Sequence, residues 1–388
     1  MVSHTSDAGL LALRSKPTVY AHLPVPYNQV TMARASAQDS PLAKTLTAYT
    51  REAAPELCER RLGNEVVCYA CGHRCLIRDG RVGICKVRFN EGGVLKVPTG
   101  YVGALQCDPI EKKPFFHVLP GSTALSFGML GCDYHCGYCQ NWITSQAIRD
   151  PEAVSSIMPM SPSQLVAMAH EYGAPVIAST YNEPLITSEW AIEVFQVAKE
   201  QGLRTAYISN GNGTPEVLNY LKPWVDFYKV DLKGFSQEEY RKLGGQLSGV
   251  LETIQRLAAM GFWLEIVTLI IPGFNDSEQE LKAMTEFLVA VSPDIPWHVT
   301  AFHKDYKMVE PDNTTARSLI RAVEIGKRSG LRYVYAGNLP GRVGPYEHTY
   351  CPGCETPVVK RVGYRILEVS LKNGACPSCG TSIPGVWT

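Results

Sequence analysis

The chain has 388 residues, which exceeds one ordinary domain and allows a large α/β core with appended modules. Lysine and arginine together number 37, as do aspartate and glutamate, so no overall positive charge attracts nucleic acid or anionic lipid. The longest apolar stretch, at 266–272, has the length of a strand and is far below the roughly 20 residues that span a bilayer. Because the first residues lack a signal-peptide pattern, we expect the 13 cysteines to lie in the reducing cytoplasm.

The first third of the chain predicts an arm followed by a metal-binding segment. Residues 1–57 carry scattered Pro, Ser and Thr with little periodicity, and we expect an arm with one short helix at 42–54 and no assigned function. Residues 58–120 combine many glycines with four closely spaced cysteines, too densely for a hydrophobic core of their own. A metal ion or cluster is therefore expected to tie these loops together.

Strand and helix patterns alternate over residues 121–340. Predicted strands begin at 123, 174, 203, 226, 262, 297 and 331. This alternation indicates parallel pairing through right-handed crossovers, and about six such units before the last strand predict an α/β fold with a partial TIM-type (βα)6 barrel. Functional residues of such barrels lie at the carboxyl ends of the strands.

The segment after the first predicted barrel strand contains three cysteines with the spacing C-x-x-x-C-x-x-C: Cys132, Cys136 and Cys139. A cubane [4Fe–4S] cluster normally takes four thiolates, so a three-cysteine loop leaves one iron open to a small molecule that chelates through nitrogen and oxygen. A zinc site or a purely structural cluster is the alternative, but zinc sites usually show two C-x-x-C pairs. These three cysteines are therefore the predicted catalytic centre.

At this loop the chain resembles the radical S-adenosylmethionine (SAM) enzymes, in which the amino and carboxylate groups of SAM occupy the open iron. Further motifs resemble the radical SAM member of the AmmeMemoRadiSam set, which is itself similar to the activases of glycyl-radical enzymes such as pyruvate formate-lyase. These motifs are CQNW after Cys139, DPIEKKP at 108–114, STYNEP at 179–184, VDLKGF at 230–235 and YVYAGN at 333–338. The resemblance runs from about residue 68 to the C-terminus.

The resemblance implies an activating-enzyme-like oxidoreductase that cleaves SAM reductively to methionine and a 5′-deoxyadenosyl radical, which abstracts hydrogen from a substrate. It implies a one-electron reductant of the flavodoxin or ferredoxin type. The substrate is either a backbone glycine of a partner enzyme or, as we favour, a small molecule or another protein, with AMMECR and Memo proteins as expected partners. No nucleic acid or membrane partner is expected. A non-enzymatic metal-binding scaffold and an electron-transfer protein are the alternatives of another class.

Polar residues at the predicted strand ends are expected to bind SAM. Asp231 and Lys233 are two residues apart, so an extended strand points both to one face, where a zwitterionic ligand would pair with them. By resemblance, Glu183 binds the SAM ammonium and His303 contacts SAM, whereas His298 lies near a strand start and is expected to be structural. The predicted cofactor-binding set is Tyr138, Asn182, Glu183, Ser209, Asn210, Asp231, Lys233 and His303.

Each of these assignments has a structural alternative. Tyr181 and Asn182 replace glycines of the activases, which disfavours close backbone contact with SAM. Asn210 and Gly211 also form an ordinary turn sequence, and Asp231 with Lys233 also suits a structural ion pair. The charged segment at 108–117 is most often solvated surface in such a pattern, and the alternative is that it rims the active-site mouth; its residues are Asp108, Glu111, Lys112, Lys113 and His117.

The remaining grouped cysteines predict two outer metal sites. The first set favours zinc, with an auxiliary iron–sulfur cluster and free thiols as alternatives; it comprises Cys68, Cys71, Cys75 and Cys85. The second set, within residues 341–388, forms two C-x-x-C pairs of a zinc-ribbon-like module; it comprises Cys351, Cys354, Cys376 and Cys379. We expect structural zinc there, with an auxiliary cluster as the alternative.

Overall fold

The N-terminal part of the molecule consists of small antiparallel sheets. The structure, a computed structural model, describes residues 41–388, so the predicted arm at 1–40 lies outside the described residues. The elements are α1 (Pro41–Thr47), β1 (Thr50–Glu52), β2 (Cys58–Arg60), β3 (Val66–Cys68), β4 (Leu76–Ile77), β5 (Phe89–Glu91), β6 (Val94–Pro98) and β7 (Tyr101–Val102). Strands β1, β6 and β5 form one sheet, and β2, β3 and β4 form another.

The predicted helix at 42–54 is wrong in its second half. The helix ends at Thr47, and Thr50–Glu52 pair with β6 in an antiparallel register. The sequence Tyr49–Thr50 combines an aromatic with a β-branched residue, which suits a half-buried sheet better than a helix. Pairing with the neighbouring strand therefore outweighs the local helical pattern.

A sheet of eight strands forms the centre of the fold. Its strands are β8 (Ala104–Pro109), β9 (Thr123–Gly128), β11 (Val176–Ser179), β12 (Arg204–Ser209), β13 (Phe227–Asp231), β14 (Trp263–Ile270), β15 (Trp297–Ala301) and β16 (Val334–Gly337). Strand β8 is antiparallel to β9, and the other seven are parallel in sequence order, while β10 (Met158–Pro159) pairs with β7 outside this sheet. The predicted α/β class with a mostly parallel sheet is confirmed.

Helices connect the seven parallel strands through six crossovers, as predicted for a (βα)6 arrangement. They are α2 (Trp142–Ser145), α3 (Pro162–Glu171), α4 (Ser188–Glu200), α5 (Pro215–Leu221), α6 (Gln237–Leu243), α7 (Leu247–Ala259), α8 (Glu278–Val291) and α9 (Ala316–Ser329). Short 3₁₀ helices cover Pro55–Leu57, Leu62–Asn64, Ile110–Lys112, Pro184–Thr187 and Gly344–Glu347. Within residues 41–388, no helix combines the length and apolarity needed to cross a membrane.

Local sequence sets the ends of these helices. Ser and Thr side chains accept the hydrogen bond of a backbone N–H three residues on at the starts of α3, α5, α6, α8 and α9. Gly244 and Gly330 end α6 and α9 in the left-handed conformation, which glycine adopts without steric cost. The parallel strands that these helices connect are buried on both faces, as in β11, where all four residues are buried.

The C-terminal module packs against the segment that precedes β9. It contains β17 (Thr349–Tyr350), β18 (Pro357–Val362) and β19 (Arg365–Val369). Arg361 is fully buried and donates to the carbonyl of Phe116 at 2.5 Å. The tail then pairs with the same segment, because Val386 N–H donates to the carbonyl of His117 at 2.7 Å. The predicted domain boundaries at 57, 120 and 340 stay predictions.

The expectation of a solvated segment at 108–117 is wrong. Glu111 and His117 are fully buried, because the carboxylate of Glu265 on β14 accepts the backbone N–H groups of Phe116 and His117, both at 3.0 Å. Glu265 also accepts from His298 Nε2 at 2.7 Å and from Trp263 Nε1 at 3.1 Å. Burial raises the pKa of Glu265, but the hydrogen bond and charge of His298, the charge of His117 and the hydrogen bond from Phe116 N–H together outweigh it and hold that pKa below its ordinary value.

We expect Glu265→Gln to lower the free energy of unfolding by about 2–4 kcal/mol, because an amide NH₂ would face one of four buried donors. Chemical denaturation measures the change. The matched control is Glu286→Gln on the exposed face of α8, where Glu286 meets only Lys282 at 3.7 Å and a change within about 0.5 kcal/mol is expected. Equal effects of the two substitutions would contradict this account of Glu265.

Candidate active site

A cavity of about 360 Å³ lies at the carboxyl ends of the parallel strands. Its walls come from residues 111–116 before β9, from the segments after β9 and β11, from positions on or just after the strands β12 to β16, and from Tyr364 of the C-terminal module. Since successive parallel strands end at one edge of the sheet, side chains distant in sequence converge there. The sequence predicts this edge as the functional one.

The three central cysteines all line this cavity. Strand β9 delivers them after Gly128, where a Cβ atom would approach the carbonyl oxygen of Thr180 to 2.4 Å, so glycine is required for the strand ends to meet. Within this loop Cys136 is buried and Cys132 and Cys139 are partly buried. No fourth cysteine is among the residues that line the cavity. Three thiols around one cavity fit a cubane cluster with one iron open to a ligand.

The C-terminal cysteines differ from those of the central loop in the spacing of their sulfur atoms. Among the described residues, one set of His, Cys, Asp or Glu brings all its ligand atoms within 4.8 Å of one another, and that set is Cys351, Cys354, Cys376 and Cys379. The central loop does not reach this spacing. A zinc ion with bonds of about 2.3 Å requires sulfurs roughly 3.8 Å apart. The C-terminal set therefore has the geometry of a single-ion site, and the central loop has room for a larger group.

Asp133 fixes the central loop to the end of β12. Its side chain is fully buried and accepts from Asn210 Nδ2 and Asn212 Nδ2, both at 2.8 Å. Its Oδ1 also lies 3.7 Å from the sulfur of Cys132. A buried carboxylate is costly without donors, so these two amides hold the cysteine loop in register with the strand end.

Glu183 organises the ends of β11 and β12. Its Oε1 accepts from Ser209 Oγ at 2.7 Å and from Leu185 N–H at 3.1 Å, and its Oε2 accepts from Asn210 N–H at 2.7 Å. Burial and the nearby carboxylate of Asp133 raise the pKa of Glu183 to about 8. Ser209 and Asn210 thus lie beside Glu183 at the cavity wall, while the side chain of Asn210 binds Asp133 and the N–H of Asn212.

The backbone at residue 181 has the left-handed conformation that glycine, present at this place in the activases, adopts without steric cost. Tyr181 has a positive φ of 71°, a conformation that costs a non-glycine residue about 1–3 kcal/mol. Its hydroxyl meets Lys113 Nζ at 3.2 Å, which anchors it. Asn182 lines the cavity, accepts from Met129 N–H at 3.0 Å and so links the β11 end to the cysteine loop.

Asp231 lies between two lysines at the end of β13. Lys229 Nζ is 2.8 Å and Lys233 Nζ is 3.7 Å from its two carboxylate oxygens, and all three side chains line the cavity. Burial raises the pKa of Asp231, but Lys229 and Lys233 outweigh it and lower that pKa below its ordinary value. Asp231 remains 36% exposed, toward the cavity, and keeps its charge available to a ligand.

Of the predicted SAM-contacting residues Tyr138 and His303, the first lines the cavity and the second does not. Tyr138 is buried, lines the cavity and meets Phe274 edge to face, with ring centroids 5.8 Å apart. His303 is exposed and absent from the cavity lining, with Nδ1 at 3.3 Å from the carbonyl of Lys304. After β15 the chain passes over the outside of the cysteine loop, where Lys307 N–H donates to the carbonyl of Gly137 at 2.9 Å. This geometry gives the predicted SAM contact of His303 no support.

Sequence reasoning did not assign Lys229 or His298 to the cavity, whereas Lys113 lines it as the alternative of an active-site mouth formed by the segment 108–117 allows. Lys229 was detectable, because it precedes Asp231 by two residues on the same strand face. Lys113 is buried beside Asp108 at 3.1 Å, and burial lowers its pKa to about 8. His298 lines the cavity while its Nε2 binds Glu265, so the residue expected to be structural lies closer to the site than His303.

Comparisons with known proteins found a family model, related sequences and a solved domain. The family model described as the radical SAM superfamily matches residues 128–288. An uncharacterized protein of Methanocaldococcus jannaschii is 35% identical over 325 residues, which cover 82% of this chain and 95% of that protein. A pyruvate formate-lyase-activating enzyme of Staphylococcus epidermidis is 24% identical over 203 residues, 48% of this chain and 78% of that enzyme. A solved domain of a pyruvate-formate lyase-activating enzyme from Bacteroides vulgatus gives a TM-score of 0.38 at 20% identity, over 42% of this chain and 98% of that domain.

The region matched by the family model begins at the end of β9 and contains the three-cysteine loop, Glu183 and Asp231. The archaeal relative extends the likeness over most of both chains. The chain therefore belongs to the radical SAM superfamily.

Proposed function

We propose that the protein reductively cleaves SAM at a [4Fe–4S] cluster held by Cys132, Cys136 and Cys139 and then abstracts hydrogen from a substrate in the same cavity. The observation that carries this proposal is the convergence of three cysteine thiols, without a fourth, on a cavity at the carboxyl ends of the strands. When bound, the reduced cluster supplies one electron to the sulfonium of SAM, which yields methionine and a 5′-deoxyadenosyl radical. The chain contributes position and exclusion of water.

Asp231 and Lys233 support a site for the methionyl part of SAM. A carboxylate and an ammonium that both line the cavity complement the ammonium and carboxylate of a zwitterionic ligand. The lowered pKa of Asp231 keeps it charged for that role. Asn182, Ser209 and Asn210 supply amide and hydroxyl groups along the same wall, and we assign them to the polar atoms of SAM.

Tyr138 and its neighbours shield the reacting atoms. Tyr138 is buried between two of the cysteines and packs on Phe274, so the cysteine loop has an aromatic cover on this side. The segment around Lys307 covers the outer side of the same loop. A reactive radical needs such a closed environment, because water and stray hydrogen donors would quench it.

Two classes of substrate are candidates for the hydrogen abstraction. A small molecule or another protein is the first, since the cavity of about 360 Å³ lies within the range of ligand sites and carries Lys113, Tyr181 and His298 that SAM contacts do not require. Activation of a glycyl-radical enzyme is the second, favoured by the 24% identity to a pyruvate formate-lyase-activating enzyme. A reductant of the flavodoxin or ferredoxin type serves both, and partnership with AMMECR and Memo proteins stays a prediction.

The C-terminal cysteines support a structural zinc site. The sulfur pairs Cys351–Cys379 and Cys354–Cys376 are 3.5 and 3.6 Å apart, which suits four thiolates around one zinc ion. The module packs on the barrel through Arg361, far along the chain from the cysteine loop. We assign the zinc ion to stability, while the module also places Tyr364 at the cavity, where its hydroxyl donates to Asn338 Oδ1 at 3.2 Å.

We expect Cys136→Ala to reduce formation of 5′-deoxyadenosine from SAM by at least about 100-fold, because the cluster loses one of its three protein ligands. The measurement is chromatography of anaerobic reactions containing dithionite and reconstituted protein. Cys107→Ala is the matched control: Cys107 is a partly buried cysteine on β8 that does not line the cavity, and its replacement should leave the rate unchanged. A wild-type rate in Cys136→Ala would refute the proposal.

We expect Asp231→Asn to raise the dissociation constant of SAM about tenfold, because the neutral amide no longer attracts the SAM ammonium. Anaerobic titration calorimetry on cluster-loaded protein measures it. Asp226→Asn is the control at the opposite end of the same strand, where Asp226 binds Lys199 at 2.8 Å away from the cavity. That variant should lose stability without a change in SAM affinity, and a parallel loss of affinity in both would count against the assignment.

A further inference from the structure

Two of the lysines that line the cavity are buried. Lys113, from the segment before β9, has a side chain that is 5% exposed, and Lys229, on β13, has one that is 7% exposed. They come from distant parts of the chain and reach the same cavity. Moving an ammonium group out of water is costly unless an opposite charge or hydrogen-bond acceptors replace the water. The charges around these two lysines therefore indicate what the cavity binds.

The counter-charge of Lys113 is shared with a neighbouring lysine. Asp108 lies 3.1 Å from Lys113 Nζ and 3.0 Å from Lys112 Nζ, while the hydroxyl of Tyr181 offers a neutral contact at 3.2 Å. Burial and two nearby lysine charges outweigh the attraction of Asp108 and lower the pKa of Lys113 to about 8. One of those charges is that of Lys229, which is close enough to Lys113 to repel it. A further negative charge would stabilise both ammonium groups.

The counter-charge of Lys229 is shared as well. Asp231 lies 2.8 Å from Lys229 Nζ and 3.7 Å from Lys233 Nζ. Burial outweighs the attraction of Asp231 and lowers the pKa of Lys229. In the proposed function, the carboxylate of SAM binds Lys233 and the ammonium of SAM competes with Lys229 for Asp231. Binding of SAM therefore leaves Lys229 with less counter-charge than before.

Hydrogen-bond donors also remain on both ammonium groups. A lysine ammonium has three N–H donors. Among residues 41–388, Lys113 meets two acceptors at hydrogen-bonding distance and Lys229 meets one. Glu265 is next to Lys229 in the register of β13 and β14, but its carboxylate already accepts from four other groups. The donors that remain belong to side chains that line the cavity.

We infer that the substrate is a small molecule with an anionic group, a carboxylate or a phosphate, that binds between Lys113 and Lys229. This inference rests on the proposed function and names the class of substrate that the site takes. An anion in this position pairs with both ammonium groups and accepts their remaining hydrogen bonds. Lysine acts as a point charge without a planar fork, so the pair suits either anion.

The two buried lysines favour one of the two substrate classes. Activation of a glycyl-radical enzyme requires a backbone glycine at the reacting position, and that residue is uncharged. Lys113 and Lys229 would then face the bound chain with their positive charges uncompensated. A small anionic molecule supplies the missing charge at the place where the side chains are buried.

The test is anaerobic titration calorimetry of inorganic phosphate and of succinate into cluster-loaded protein that is saturated with SAM and not reduced. We expect saturable binding of at least one of these anions. The dissociation constant should rise at least about tenfold in Lys113→Met and in Lys229→Met, because methionine resembles the lysine stem and lacks its charge. The anion that binds more tightly identifies the group as phosphate or carboxylate. Succinamide, which resembles succinate without its charges, should not bind.

The matched control is Lys199→Met. Lys199 Nζ lies 2.8 Å from Asp226, and Lys199 does not line the cavity. Its replacement removes a lysine that is paired with an aspartate elsewhere on the molecule. The dissociation constant of the anion should therefore stay within about twofold of the wild-type value.

The inference is overturned if neither anion binds saturably, if Lys113→Met binds them as tightly as the wild type, or if the control loses affinity equally. Lys113→Met carries the test even if Lys229→Met does not fold, because Asp108 keeps Lys112 as a partner. Failure of the proposed function has a different signature: an anion binds, and the wild type leaves SAM intact after reduction. Anion binding and SAM cleavage measured on the same preparations distinguish the two failures.

Discussion

The buried carboxylate of Asp133 is the interaction on which the arrangement of the site depends. It lies next to Cys132 in sequence, and its charge is stabilised inside the protein by the amides of Asn210 and Asn212. Hydrogen bonds to a charged group contribute about 1.5–3 kcal/mol each, and loss of either amide would leave the carboxylate short of donors. The cysteine loop, the end of β12 and the loop of Gly72 are therefore fixed relative to one another.

Residues that stabilise the fold and residues that face the cavity lie at different positions along the strands of the sheet. At one edge, Asp231 and Lys233 line the cavity with charges that a ligand can engage. Deeper along the same sheet, Glu265 binds the segment before β9 and so couples the barrel to the C-terminal module through Phe116 and Arg361. Parallel strands make this division possible, because all of them present the same end to the cavity.

Sequence patterns predicted what depends on local periodicity and spacing. The seven parallel strands, their six crossovers and the three cysteine groups follow from such signals. The patterns failed where distant residues decide the outcome: the buried segment before β9 is held by Glu265, which is 148 and 149 residues away from its partners His117 and Phe116. His303 was placed by analogy of position, yet the turn after β15 takes it to the surface. Cysteine spacing along the chain likewise could not separate a zinc site from a cluster site, because sulfur separation is a tertiary property.

The central claim is that the cluster of the three-cysteine loop has one iron without a protein ligand, which SAM chelates. Electron–nuclear double resonance on the reduced protein tests it most directly, with SAM labelled with nitrogen-15 at the amino group and oxygen-17 at the carboxylate. The account predicts hyperfine coupling of both labels to the cluster of Cys132, Cys136 and Cys139. A fully formed cluster at that loop without coupling to either label would contradict it.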